Sequence, residues 1–174
     1  MNKIIFTFTI FLILIGFGNY SFALTEDPVV VIETNLGNLV IELFPGDATN
    51  HVKNFLFLNS GSYYHETLFH RVIPGFMIQG GDPNTKSGEP NTWGQGGPDE
   101  KLDAEFNSIK HNRGIVSMAR SADPNSAGSQ FFIVHQDSNS LDGNILHLED
   151  LQLKKVLKHL IKLQQFQLVL LIGQ

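Results

Sequence analysis

Six short runs of β-branched, aliphatic and aromatic residues, cut apart by glycine, proline and asparagine, limit what this chain can fold into more than any other feature. They are Val29–Ile32, Leu39–Leu43, Leu68–Ile73, Phe76–Gln79, Ile115–Ala119 and Gln130–Val134. Each is too short for a stable helix, and such side chains suit a pleated, half-buried surface, so each reads as a strand. The first two flank Asn35-Leu36-Gly37-Asn38 as a hairpin, and the third and fourth meet at Pro74-Gly75, a turn dipeptide. One helix is expected over Ala48–Asn59, with Asp47 as cap, Val52, Phe55, Leu56 and Leu58 apolar, and Ser60-Gly61 as the stop. Many short strands with few helices predict a mainly β fold, a closed barrel or a sandwich. Gly80 to Pro98 contains six glycines and reads as a long surface loop, a kind of segment that often carries function.

The 174 residues suffice for one domain of ordinary size. A net charge of −5, with both signs scattered, argues against a nucleic-acid or anionic-membrane partner. With no cysteine there is neither a disulfide framework nor thiolate chemistry. Residues 1–23 read as a secretory signal peptide: Lys3, an apolar run over Ile4–Phe17, then the small-x-small site Ser21-Phe22-Ala23. An uncleaved membrane anchor is the alternative. Cleavage after Ala23 predicts an exported protein, periplasmic or secreted, with no stable membrane association afterwards.

Few side chains offer chemistry. The seven histidines show no metal-ligand spacing, no serine sits in a G-x-S-x-G elbow, and no phosphate loop follows the glycines. No metal and no cofactor are expected. What stands out is Arg71, a cation inside the apolar run FHRVIPGFMIQGGD, with Gln79 eight residues on. A charge is rarely buried without a partner. A structural salt bridge or a catalytic role would each account for Arg71. One arginine, one amide and large apolar groups suit a reaction that breaks no bond, such as rotation about the peptide bond before proline, though composition alone does not choose it. Its barrier of about 18–20 kcal/mol reflects lost amide resonance. In the twisted state the nitrogen lone pair is localised, so a guanidinium aimed at it binds that state best.

Three segments carry a resemblance that composition alone does not: FHRVIPGFMIQGGD (residues 69–82), GIVSMARSADPNSAGSQFFI (114–133) and SLDGN (140–144), supported by the first hairpin and by VKNFLFL. From about Val29 to Asn144 the chain resembles the cyclophilin family of peptidyl-prolyl isomerases, of the bacterial exported kind. The resemblance implies a cyclophilin-like closed β-barrel with flanking helices. It implies an isomerase for proline-containing polypeptides, acting as a monomer on exported proteins as they fold. Arg71 and Gln79 take the catalytic positions. Phe76, Met77, Phe132 and Leu141 match the walls of the proline pocket, though each taken alone also suits ordinary core packing. Ala119, Arg120 and Gln130 match the peptide groove. The family often has a tryptophan where this chain has Ser140, which implies weakened binding of cyclosporin-type ligands; Trp93, in the long loop, is not its replacement. A non-catalytic proline-peptide-binding or chaperone module is the alternative.

After Asn144 the pattern changes. Residues 145–174 hold ten leucines, one glycine and no proline. They read as an amphipathic helix, with Leu153, Leu157, Leu160, Leu163 and Gln164 along one face, where the family places its last strands. The barrel is then expected to be incomplete, leaving a domain over 24–144 and a divergent tail over 145–174. Written in A/T-rich codons with one T restored ahead of it, the tail translates as YITLGRFAIEESFETLDKIAA, which resembles the missing family segment. A one-base deletion near the Asn144 codon accounts for the switch, and an inactive product of a frameshifted gene is a further alternative.

Overall fold

The computed structural model describes residues 27–143 and, beyond them, the backbone of two short strands, Leu146–Glu149 and Leu171–Ile172. The expected signal peptide and most of the tail lie outside the described residues. The strands are β1 (Val29–Glu33), β2 (Leu39–Glu42), β3 (Arg71–Ile73), β4 (Met77–Gly80), β5 (Val116–Met118), β6 (Phe131–Val134), β7 (Leu146–Glu149) and β8 (Leu171–Ile172), with one helix, α1 (Thr49–Ser60). All six sequence-predicted strands are present, the third trimmed at its start to Arg71. The loop after β4 contains two single turns of 3-10 helix, Pro83–Lys86 and Pro90–Thr92.

The strands form two antiparallel sheets, ordered β2-β1-β8 and β3-β4-β6-β5-β7. The expected closed barrel is not shown: closure requires one continuous ladder, and among the described residues the two sheets share no strand pairing and meet through side-chain packing. Of the tail expected as a helix, the two stretches described, β7 and β8, are strands along the edges of β5 and β1. The residues named for the helical face lie outside the described residues. "Flanking helices" reduces to one α-helix among the described residues. No helix among them is long and apolar enough to cross a membrane.

Burial follows the two-residue period of a strand. Val30 and Ile32 of β1, with Leu39 and Ile41 of β2, turn inward against Val52, Phe55 and Leu58 of α1. Phe131 is fully buried at the centre, with edge-on contacts to Phe55, Tyr64 and Phe69 at centroid distances of 5.7, 5.9 and 6.0 Å. β6 lies between β4 and β5, so all four of its residues are buried. Phe131 and Ile133 join this main core, while Phe132 and Val134 turn to a second cluster with Met77 and Ile115. That second face carries the site.

Asp47 does not cap α1. The helix begins after Ala48 without a side-chain cap of its own. Glu105, 55 residues away, accepts the N–H groups of Asn50 and His51 at 2.9–3.0 Å and the buried His51 ring at 2.6 Å. A carboxylate there satisfies orphan donors and complements the positive end of the helix dipole. These bonds hold the Glu105 carboxyl below its usual range, against the opposing effect of burial.

Candidate active site

Strand register puts the site residues on one face. Arg71 pairs with Gln79, Gln79 with Phe132 and Phe132 with Ser117; the adjacent row is Ile73, Met77 and Val134. Residues opposite one another across an antiparallel pair project from the same side. Over this face opens a cavity of 310 Å³ lined by Arg71, Phe76, Met77, Gln79, Met118, Ala119, Arg120, Phe132 and Leu141. The structure thus brings together eight of the nine residues singled out from sequence. The ninth, Gln130, lines an adjoining groove. Met118 was missed, because a buried strand methionine carries no signal separating pocket from core.

Arg71 is exposed at the cavity rim, and none of the ion pairs among the described residues involves it. Its Nη1 donates to Gln79 Oε1 at 3.1 Å; Gln79 Nε2 donates to Gln130 Oε1 at 2.9 Å; Gln130 Nε2 donates to the Gly96 carbonyl at 2.8 Å. Each amide accepts through oxygen and donates through nitrogen, so the relay fixes both side-chain orientations. Gln79 therefore holds the guanidinium against β4.

The apolar end has a built floor. Phe132 is buried, and the His111 ring lies nearly parallel to it, at 8° and 6.1 Å between centroids. Asp142 Oδ1 accepts both the His111 backbone N–H, at 2.9 Å, and its ring Nδ1–H, at 3.0 Å. Lys110 Nζ lies 3.2 Å from the other carboxylate oxygen. The backbone N–H bond, more than its other partners, takes the Asp142 carboxyl down to about 2. Burial lowers His111, so the ring is neutral near neutral pH. Asp142 follows Leu141 in the chain, so this anchor also sets one pocket wall. His111 and Asp142 escaped the sequence reading, since nothing local pairs residues 31 apart.

The adjoining groove has the same volume, 310 Å³, and a polar lining that includes Gly94–Gly97, Ser126 and Ser129. It meets the apolar cavity at Gln79, Ala119 and Arg120. Arg120 Nη1 donates to the carbonyls of Ser121 and Ala122 at 2.8 and 3.2 Å. The groove's loop wall is held by Asp82, fully buried, which accepts the Asn84 N–H at 2.8 Å and the Gly94 N–H. A Cβ on Gly96 would stand 2.1 Å from Asp82 Oδ1, so only glycine fits this approach. Trp93 donates to the Gly88 carbonyl at 3.0 Å within the same loop and lines neither cavity. No cluster among the described residues could hold a metal ion.

An apolar slot with a guanidinium at its rim, opening into a polar groove, is what the quoted motifs imply. A model of the cyclophilin type peptidyl-prolyl cis-trans isomerase family matches residues 29–165. The chain belongs to the cyclophilin family. It is 47% identical over 116 residues to the Arabidopsis thaliana peptidyl-prolyl cis-trans isomerase CYP18-1, covering 66% of this chain and 69% of that one. It is 43% identical over 113 residues to a peptidyl-prolyl cis-trans isomerase of Synechococcus elongatus, covering 65% and 72%. A Cryptosporidium parvum cyclophilin type isomerase, crystallised in the presence of the dipeptide Ala-Pro, superposes with a TM-score of 0.72 at 32% identity, covering 84% of this chain and 99% of that chain. This cyclophilin is accordingly a peptidyl-prolyl cis-trans isomerase.

Proposed function

We propose that this cyclophilin accelerates rotation about X-Pro bonds in exported polypeptides as they fold, working as a monomer. The proline ring sits in the apolar slot between Phe76, Met77, Phe132 and Leu141, and the preceding backbone runs along Ala119, Arg120 and Gln130. Arg71 donates to the prolyl nitrogen as the amide twists, while Gln79 keeps the guanidinium oriented. Uncatalysed isomerisation takes tens of seconds. Reaching milliseconds needs about four decades, or roughly 5–6 kcal/mol. One charge-assisted hydrogen bond contributes about 1.5–3 kcal/mol. Exclusion of water from the slot and fixed orientation of the peptide supply the remainder.

The observation carrying this reading is the placement of Arg71: at the rim of an apolar cavity, oriented by an amide relay, with no carboxylate among the ion pairs of the described residues to neutralise it. Replacing Arg71 by alanine tests it, since an isomerase loses turnover while keeping most of its affinity for a prolyl peptide. The leader-like residues 1–23 support export, and mass determination of the mature chain from a secreting host tests cleavage after Ala23. The shifted-frame translation supports a one-base deletion near the Asn144 codon. An unbroken reading frame on resequencing, with no related shifted product, ends that idea.

A further inference from the structure

Phe76 reaches the slot from the turn between β3 and β4. The Phe76 N–H donates to the Ile73 carbonyl at 3.0 Å, and Gly75, third in the turn, has φ +76°, the arrangement of a type II turn. That turn leaves the Gly75 N–H unused. It donates instead to His135 Nδ1 at 2.9 Å. The same residue's backbone N–H donates to the Phe76 carbonyl at 2.7 Å, and Gln136 N–H reaches that carbonyl at 3.4 Å. Residues 75–76 are thus clamped to 135–136, just beyond β6. One of these bonds depends on protonation.

A nitrogen that accepts an N–H has no proton of its own, so the clamp requires neutral imidazole with its hydrogen on Nε2. Imidazolium carries hydrogen on both nitrogens and accepts from neither. We propose that His135 is a positioning residue that holds Phe76 in the wall of the proline slot when neutral and releases it when protonated, making peptide turnover fall in acid. This rests on the isomerase reading above. The charged group that acts on His135 is Arg113, which opposes a second positive charge; the Arg113 backbone N–H itself donates to Asp137 Oδ1 at 2.8 Å. The turn itself, Ile73 to Phe76, brings no titratable side chain. Burial and Arg113 both keep the ring neutral to a lower pH than usual.

The test uses the full chain and two variants, His135→Asn and His135→Leu. Asparagine offers an oxygen acceptor close to where Nδ1 stands but does not titrate. Isomerisation of a prolyl peptide is followed over roughly pH 5 to 8, and the Gly75 amide proton is followed by NMR across the same range. In the unaltered chain, kcat/KM is expected to fall on acidification by about fivefold, the worth of one neutral hydrogen bond, in step with the Gly75 shift. His135→Asn is expected to match it near pH 8 and to stay flat, while His135→Leu is low throughout. An asparagine variant that keeps the unaltered pH profile, or a leucine variant as active as the parent near pH 8, overturns the proposal. If no form turns over peptide, the isomerase reading fails; a Gly75 shift that then fails to track the His135 titration overturns the clamp separately.

Discussion

Replacing Gln79 by alanine removes the middle of the relay that starts at Arg71. Two hydrogen bonds go: the 3.1 Å bond from the guanidinium and the 2.9 Å bond to Gln130. Both partners line open cavities, so water takes the vacated positions and folding stability changes little. The loss falls on orientation. If Arg71 contributes about 1.5–3 kcal/mol to the twisted state, Arg71→Ala lowers kcat/KM by about 10- to 150-fold. Gln79 contributes only by aiming that donor, worth about one neutral hydrogen bond, so Gln79→Ala lowers kcat/KM by about fivefold with peptide affinity nearly unchanged. A double-mutant cycle measured by protease-coupled prolyl-peptide kinetics separates aiming from direct action. If Gln79 acts through Arg71, the double variant is no slower than Arg71→Ala alone. Multiplicative losses, or a Gln79→Ala variant within a factor of about two of the parent, refute the reasoning.

Phe131→Ala empties the meeting point of Phe55, Tyr64 and Phe69 and is expected to cost about 3–5 kcal/mol, read as a lowered urea midpoint; an unchanged midpoint contradicts the packing. Gly96→Ala forces a Cβ to within 2.1 Å of Asp82 Oδ1, so the loop wall shifts and KM rises more than kcat falls. His70, His111 and His135 are all lowered from an ordinary value of 6.5, chiefly by burial. The unfolded chain then binds more protons than the folded one, so stability is full above 6.5 and declines as pH falls through the folded values. Thermal melts at successive pH values check this, and a midpoint that rises on acidification contradicts it. Asp142 extends the same trend as pH falls from 3.8 towards about 2. Exchanging residues 145–165 for the shifted-frame segment is expected to raise both melting temperature and turnover; equal values from the two chains show that the tail is tolerated.

The face that forms the slot was readable because strand alternation is local. In Gln130–Val134, knowing that Phe131 points one way requires Phe132 to point the other, and the motif around Arg71 and Gln79 supplies the pairing partner. Contacts between distant segments were not readable. Glu105 caps α1 from 55 residues away, where Asp47 was the local candidate. His111 finds Asp142 beneath Phe132, and Gln79 finds Gln130, only once the chain has folded. The closed barrel was a family expectation. The described residues show two sheets and not a closed ladder; closure depends on how β2, β3, β7 and β8 meet, which no short run of residues records. The helical reading of the tail failed at β7 for a related reason: leucine periodicity favours a helix in isolation, yet the open edge of β5 offers Leu146–Glu149 a hydrogen-bonded partner.

The most direct test is to saturate the unaltered chain and Arg71→Ala with one prolyl peptide and measure bound-state cis–trans exchange by NMR beside the dissociation constant. Exchange slower by at least about tenfold in the variant, with affinity held within about threefold, is the expected result. Exchange as fast as in the unaltered chain would mean that the guanidinium at the rim of the slot does not stabilise the twisted amide.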